Sequence, residues 1–98
     1  MRIIAKRTLR EFWEKYPDSQ GQLEAWHSEM LNANWENPQE LKQQYGTASI
    51  LKDGRVVFNI CGNTYRVVVW INYKFKLVLV KFIGTHEQYD NIDANIVR

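Results

Sequence analysis

Ninety-eight residues, 45% apolar and 24% charged, suit one folded domain spanning residues 1–98 and leave no room for a second core. The longest apolar run, Val67 to Ile71, is strand-sized, which excludes a membrane-spanning helix, and the lone Cys61 excludes an internal disulfide. A net charge of +2 names no partner by itself. Charge rather than an apolar stretch follows Met1-Arg2-Ile3-Ile4, so no secretory signal is expected and a reducing cytoplasm fits best.

The first element predicted is a helix over residues 5–16, where Leu9, Phe12, Trp13 and Tyr16 recur at helical spacing and Pro17 stops the run. Asp18 or Ser19 can cap a second helix reaching about Asn34, with Leu23, Trp26 and Met30 on its apolar face. Residues 34–38 read as a loop. Asn37 is then an N-cap, with Pro38 at the first position of a short helix that carries Leu41 and Tyr45 and stops at Gly46. From Ala48 the period becomes two. Ser49 to Lys52 and Arg55 to Ile60 flank Asp53-Gly54, a hairpin signal. Gly62-Asn63 turns the chain into Thr64 to Asn72, and Lys76 to Ile83 forms the last strand, followed by a short helix or turn from His86. Helices preceding an antiparallel meander give an α+β fold, with the N-terminal helices packed on one face of a small sheet.

Alternation sorts that sheet. Tyr65, Val67, Val69 and Ile71 are uniformly apolar and should face the helices. Arg66, Val68, Trp70 and Asn72 are mixed and are expected on an open face or cleft. Residues 41–85 hold seven basic side chains against Asp53 alone, a local excess of +6 on the predicted sheet. Such a footprint suits a polyanion, and within it Lys52, Arg55 and Lys81 are candidate RNA-binding residues. The same lysines also serve the plain purpose of guarding strand edges.

The chemistry-bearing residues cluster around Arg66 and the segment Thr85-His86-Glu87-Gln88-Tyr89-Asp90. Thr85 and Gln88 match a capping box. That motif leaves His86, Tyr89 and Asp90 unexplained, at i, i+3 and i+4 on one face of a turn. Cleavage of RNA through its 2′-hydroxyl needs a base, an acid for the leaving 5′-oxygen, and a cation on the phosphate. His86 can serve as base or acid, Tyr89 can donate a proton or stack on a base, and Arg66 offers a planar fork. Asp90 can orient the imidazole or pair with Arg66. His27 reads as structural, and no metal-ligand spacing or phosphate-binding loop is present.

The run Val57-Phe58-Asn59-Ile60-x-Gly62-Asn63-x-Tyr65-Arg66-Val67, together with Lys81-Phe82-Ile83-Gly84-Thr85-His86-x-x-Tyr89-Asp90, resembles the HigB family of bacterial toxins. These are RelE-like components of type II toxin–antitoxin systems. The likeness covers nearly the whole chain, including the N-terminal helices and the Tyr16-Pro17 stop. It implies a RelE-like α+β fold and an endoribonuclease, an mRNA interferase that cuts mRNA at the ribosome without metal or cofactor. It also implies a cognate antitoxin, of the helix-turn-helix HigA type. By position, Arg66 would stabilise the phosphate, His86 and Tyr89 would form the acid–base pair, and Asn63 and Lys81 would support the site. Which of His86 and Tyr89 is the acid stays open. Two further readings fit the same residues: a module of this fold that binds RNA or the ribosome without cutting, and an antitoxin-binding protein whose nuclease has decayed.

Overall fold

The computed structural model describes residues 1–4 and 6–98. The elements in chain order are β1 (Arg2–Ile4), α1 (Lys6–Lys15), a 3-10 turn (Pro17–Ser19), α2 (Gln20–Asn32), α3 (Pro38–Gln44) and β2 (Ser49–Ile50). A second 3-10 turn (Lys52–Gly54) leads to β3 (Arg55–Ile60), β4 (Tyr65–Asn72), β5 (Leu77–Thr85) and α4 (His86–Asp90). Ala5, the expected first residue of the opening helix, lies outside the described residues. The helices form where the apolar period places them: Leu9 and Phe12 of α1, and Leu23, Trp26 and Met30 of α2, are buried. Pro17 ends α1 and opens the 3-10 turn, a position where its fixed φ and missing N–H cost nothing. Asn37 caps α3, accepting from the Glu40 N–H at 3.0 Å. Ser19 does not cap α2; it is fully buried and its hydroxyl donates to the Tyr16 carbonyl at 2.7 Å.

The strands form one sheet in the order β1-β5-β4-β3-β2. Four of them make the expected antiparallel meander, and β1 adds an edge parallel to β5, pairing Arg2 with Leu77 and Ile4 with Leu79. The α+β class stands, with a mixed sheet. The Met1 ammonium donates to the carbonyls of Met30, Leu31 and Ala33 at 2.9, 2.8 and 2.9 Å. A cation there satisfies acceptors that the end of α2 leaves open. Burial, and secondarily Lys76, pushes this amine below its ordinary value.

The Asp53-Gly54 signal does make a hairpin, though β2 ends at Ile50 and the connection is longer than two residues. Gly54 has φ +82, and a Cβ there would stand 2.7 Å from the Ile71 carbonyl oxygen, so only glycine fits. The next turn falls one residue earlier than expected, with Cys61 and Gly62 at φ 54 and 66. On β5 the register shifts opposite Val68 and Val69, leaving Lys81 as the extra residue of a bulge. The bulge resets the alternation: Val80 and Ile83 both face the helices, while Phe82 turns to the opposite side.

The main core lies between helices and sheet, where Leu23, Trp26 and Met30 meet Phe58, Val67 and Val69. Trp26 and Tyr45 both meet the Phe58 ring edge-on, at centroid distances of 5.5 and 5.1 Å. The other sheet face is not open, which corrects the sequence expectation. Val57 and Val68 are 3% and 0% exposed there, covered by Ala94, Ile92 and Val97 from the segment after α4. That segment is short and has no regular secondary structure, yet Ile92, Ala94 and Val97 seal it onto Val57 and Val68 of the sheet.

Candidate active site

β4 and α4 build the site together. Arg66 pairs across the sheet with Asn59 on one side and Gly84 on the other, one residue before Thr85 caps α4. Thr85 Oγ1 accepts from the Gln88 N–H at 3.1 Å, and Gln88 Oε1 accepts from the Thr85 N–H at 2.9 Å, completing the capping box. The His86 N–H donates to the Thr64 carbonyl at 3.0 Å, joining the start of α4 to the β3–β4 turn. A Cβ on Gly84 would meet the Phe82 ring at 2.6 Å and Gln88 Oε1 at 2.8 Å. The bare glycine therefore lets α4 turn tightly over the strand beside Arg66.

The Arg66 guanidinium folds over this turn, with Nη1 donating to the Asn63 carbonyl at 2.8 Å and to that of Tyr65 at 3.3 Å. Its Cζ lies 5.7 Å from the centre of the Tyr89 ring, a cation–π distance. No carboxylate among the described residues pairs with Arg66. Asp90, one candidate for that partner, instead holds His86, its Oδ2 lying 3.1 Å from Nδ1. With Nδ1 so engaged, Nε2 is the nitrogen left to exchange a proton with a ligand. Arg66 keeps Nε and Nη2 without protein partners among the described residues, a free edge for a phosphate. His86 and Asp90 are exposed and Arg66 and Tyr89 half-buried, so the group opens to solvent on one side.

The structure thus gathers Arg66, Tyr89, His86 and the Asn63 turn at one corner. The remaining candidates are dispersed. Lys81 occupies the β5 bulge, and Lys52 sits in the exposed turn at the far end of β3. Arg55 lies at that end too, paired with Trp70, and its Nη1 donates to the carbonyls of Ala94 and Val97 at 3.1 and 2.6 Å. Other cations of the basic stretch are similarly engaged. Lys76 donates to the Trp35 carbonyl at 2.8 Å and lies 3.1 Å from Glu36, and Lys42 holds the carbonyls of Gly46 and Ala48. The free positive footprint is smaller than composition implies.

Beneath the site, Tyr65 donates its hydroxyl to Asp18 Oδ1 at 2.6 Å, and this bond, with burial, pushes the phenol up to about 12. Burial and Asp18 also raise the neighbouring Cys61 thiol, which keeps it protonated and a poor nucleophile. Sequence reading overlooked the Asp18–Tyr65 bond and the covering tail. The signal for the tail was the spacing of Ile92, Ala94 and Val97, apolar positions among polar ones.

Comparison with known proteins comes to the same place. Residues 19–92 match the family model HigB_toxin, described as the RelE-like toxic component of a toxin–antitoxin system. The chain is 28% identical over 96 residues to the mRNA interferase toxin HigB of Escherichia coli K12, covering 96% of this chain and 92% of that one. The mRNA interferase HigB of Shigella flexneri shows the same identity and coverage. That of Escherichia coli O6:H1 is 28% identical over 94 residues, 94% of this chain and 91% of its own.

Proposed function

The chain belongs to the HigB family of RelE-like toxins, and on that premise we propose that it is an mRNA interferase that cuts messages engaged on the ribosome. The observation that carries this reading is the placement of Arg66, Tyr89 and His86 at one solvent-open corner, built by β4 and the capped start of α4. In this reading the free edge of Arg66 binds the scissile phosphate and neutralises charge as the phosphorus becomes five-coordinate. One of His86 and Tyr89 removes the 2′-hydroxyl proton. The 2′-oxygen then bonds to phosphorus, the bond to the 5′-oxygen breaks, and the other residue protonates that oxygen. A 2′,3′-cyclic phosphate and a 5′-hydroxyl are left. Asp90 orients the imidazole through Nδ1. Asn63 shapes the turn that holds Arg66, while Lys81 and Lys52 add charge along the RNA path. None of these steps uses a metal or a cofactor.

The corner is open to solvent and its free charge is modest, which suits a substrate delivered by a larger assembly. The ribosome supplies that assembly, holding message in a fixed path and providing much of the binding energy. The protein would act in the cytoplasm and be silenced by a cognate antitoxin of the helix-turn-helix HigA type. The direct test compares purified protein on ribosome-bound and on free mRNA. Cuts within the ribosome-protected frame, ending in cyclic phosphate and lost in His86→Ala, support the proposal. Equal cutting of free message would remove the ribosome from it, and binding without any cutting would replace cleavage by occupancy.

A further inference from the structure

The position of α4 needs an explanation, because α4 spans only His86–Asp90. Five residues are far below the roughly 12–15 at which an isolated helix becomes marginally stable. Its neighbours must hold it. The capping box and the His86 to Thr64 bond secure its first turn. Its last turn carries Tyr89, which packs in the small cluster formed by Val57, Val68, Phe82, Ile92 and Ala94. That cluster exists only while the chain after α4 lies on the sheet. The Ile92 N–H donates to the Tyr89 carbonyl at 3.2 Å, and the Val97 N–H to that of Asp93 at 3.0 Å, so the segment is folded on itself. The tie from the sheet to this segment is Arg55, whose Nη1 serves the Ala94 and Val97 carbonyls together. Hydrogen bonds from a charged donor are the strong ones, and a half-buried guanidinium stripped of them would leave both sides short of partners.

We infer that Arg55 is a positioning residue: it clamps residues 92–97 onto the sheet and, through that packing, keeps Tyr89 against Arg66. This rests on the assignment of Arg66, His86 and Tyr89 to the reaction. Arg55 is badly placed to act on the same phosphate itself. Its position on β3 is four residues from that of Asn59, the partner of Arg66, or roughly 13 Å along a strand.

A double-mutant cycle tests the clamp. Arg55→Ala removes the donor, and Ala94→Asn forces a polar side chain into a site only 6% exposed. Both are assayed with Arg66→Ala by single-turnover cleavage of ribosome-bound message at varied salt, with amide exchange on each protein. Each of the first two variants should slow the maximal rate roughly tenfold to a hundredfold, the scale of a misplaced catalytic group. Half-saturation and the salt slope should match wild type, because no phosphate contact is lost. The double variant should be no slower than the slower single one, since both release the same segment. Amides of Ile92 and Val97 should lose protection in both, while those of α1 and α2 keep theirs, separating release of the segment from unfolding. Additive losses, or a weaker salt slope with raised half-saturation, would show Arg55 acting directly on RNA and overturn the inference. Loss of cleavage in Arg66→Ala beside wild-type cleavage in Arg55→Ala would overturn the positioning role alone. Wild-type cleavage by Arg66→Ala would overturn the site assignment, and the positioning role with it.

Discussion

The two faces of the sheet are closed by different kinds of structure. On one, α1 and α2 bring large side chains such as Trp26, Phe12 and Leu23 against Phe58 and the valines of β4, and the core is continuous. On the other, eight residues without regular structure press Ile92, Ala94 and Val97 onto Val57 and Val68, with one arginine as the tie. Burial scales with stabilisation at about 25 cal/mol per Å² of apolar surface, so the helical face carries most of the fold's free energy. In the proposed mechanism it is the thin face that carries the chemistry. A protein organised this way can lose order around α4 without unfolding, because the two layers share strands but few side chains.

That division predicts a graded set of outcomes. Arg66→Ala should have the largest effect, lowering the cleavage rate by about two to three orders of magnitude, or about 3–4 kcal/mol of transition-state stabilisation, with the fold intact. A folded Arg66→Ala protein that cuts normally would remove Arg66 from the reaction. Leu23→Ala, at a fully buried position of the helical face, should cost about 2–5 kcal/mol in denaturant unfolding while leaving the rate of the folded fraction unchanged. Ile92→Ala, half-buried on the thin face, should cost only about 1–2 kcal/mol. It should nevertheless slow cleavage more than Leu23→Ala does, and the opposite ranking would mean that the faces are not separable.

Smaller effects come from single bonds. Thr85→Ala removes the hydroxyl that accepts from the Gln88 N–H in the capping box and should cost about 1 kcal/mol, read most clearly as faster amide exchange in α4. The Tyr65–Asp18 bond gives the smallest effect, and its pH dependence is confined to alkali. The folded phenol is raised to about 12 from an ordinary value near 10. The native state therefore holds its proton more tightly than the unfolded chain does. The bond's contribution is complete below pH 10 and fades as pH rises towards 12. Tyr65→Phe should flatten the alkaline limb of a stability profile across that window, and an unaltered limb would dismiss the bond as its cause.

What could be read from the sequence follows the same division. The helical face was legible because its residues repeat: Leu9, Phe12 and Trp13 in one helix and Leu23, Trp26 and Met30 in the next leave one stripe to bury. Tyr65 to Ile71 alternates cleanly towards that stripe. Local chemistry was legible too, since the caps at Asn37 and Thr85 act over three residues. Long-range ties were not. β1 has three residues and no period of its own, and it is defined by pairing with a strand more than seventy residues away. The Lys81 bulge breaks alternation only in the pairing, where Phe82 rather than Lys81 faces Val68. Arg55 looked like a free cation because the carbonyls it holds lie some forty residues ahead. The candidate site residues were singled out by type and by resemblance, whereas the approach of Arg66 to Tyr89 at 5.7 Å depends on packing that no local pattern signals.

The most direct measurement is induction of wild type, Arg66→Ala and His86→Ala in a bacterial host, with genome-wide mapping of mRNA 5′ ends. New ends inside translated frames should appear with wild type and vanish with either variant, although all three proteins accumulate in folded form. Growth arrest by wild type without new ends, or the same new ends from the variants, would contradict a nuclease centred on Arg66 and His86.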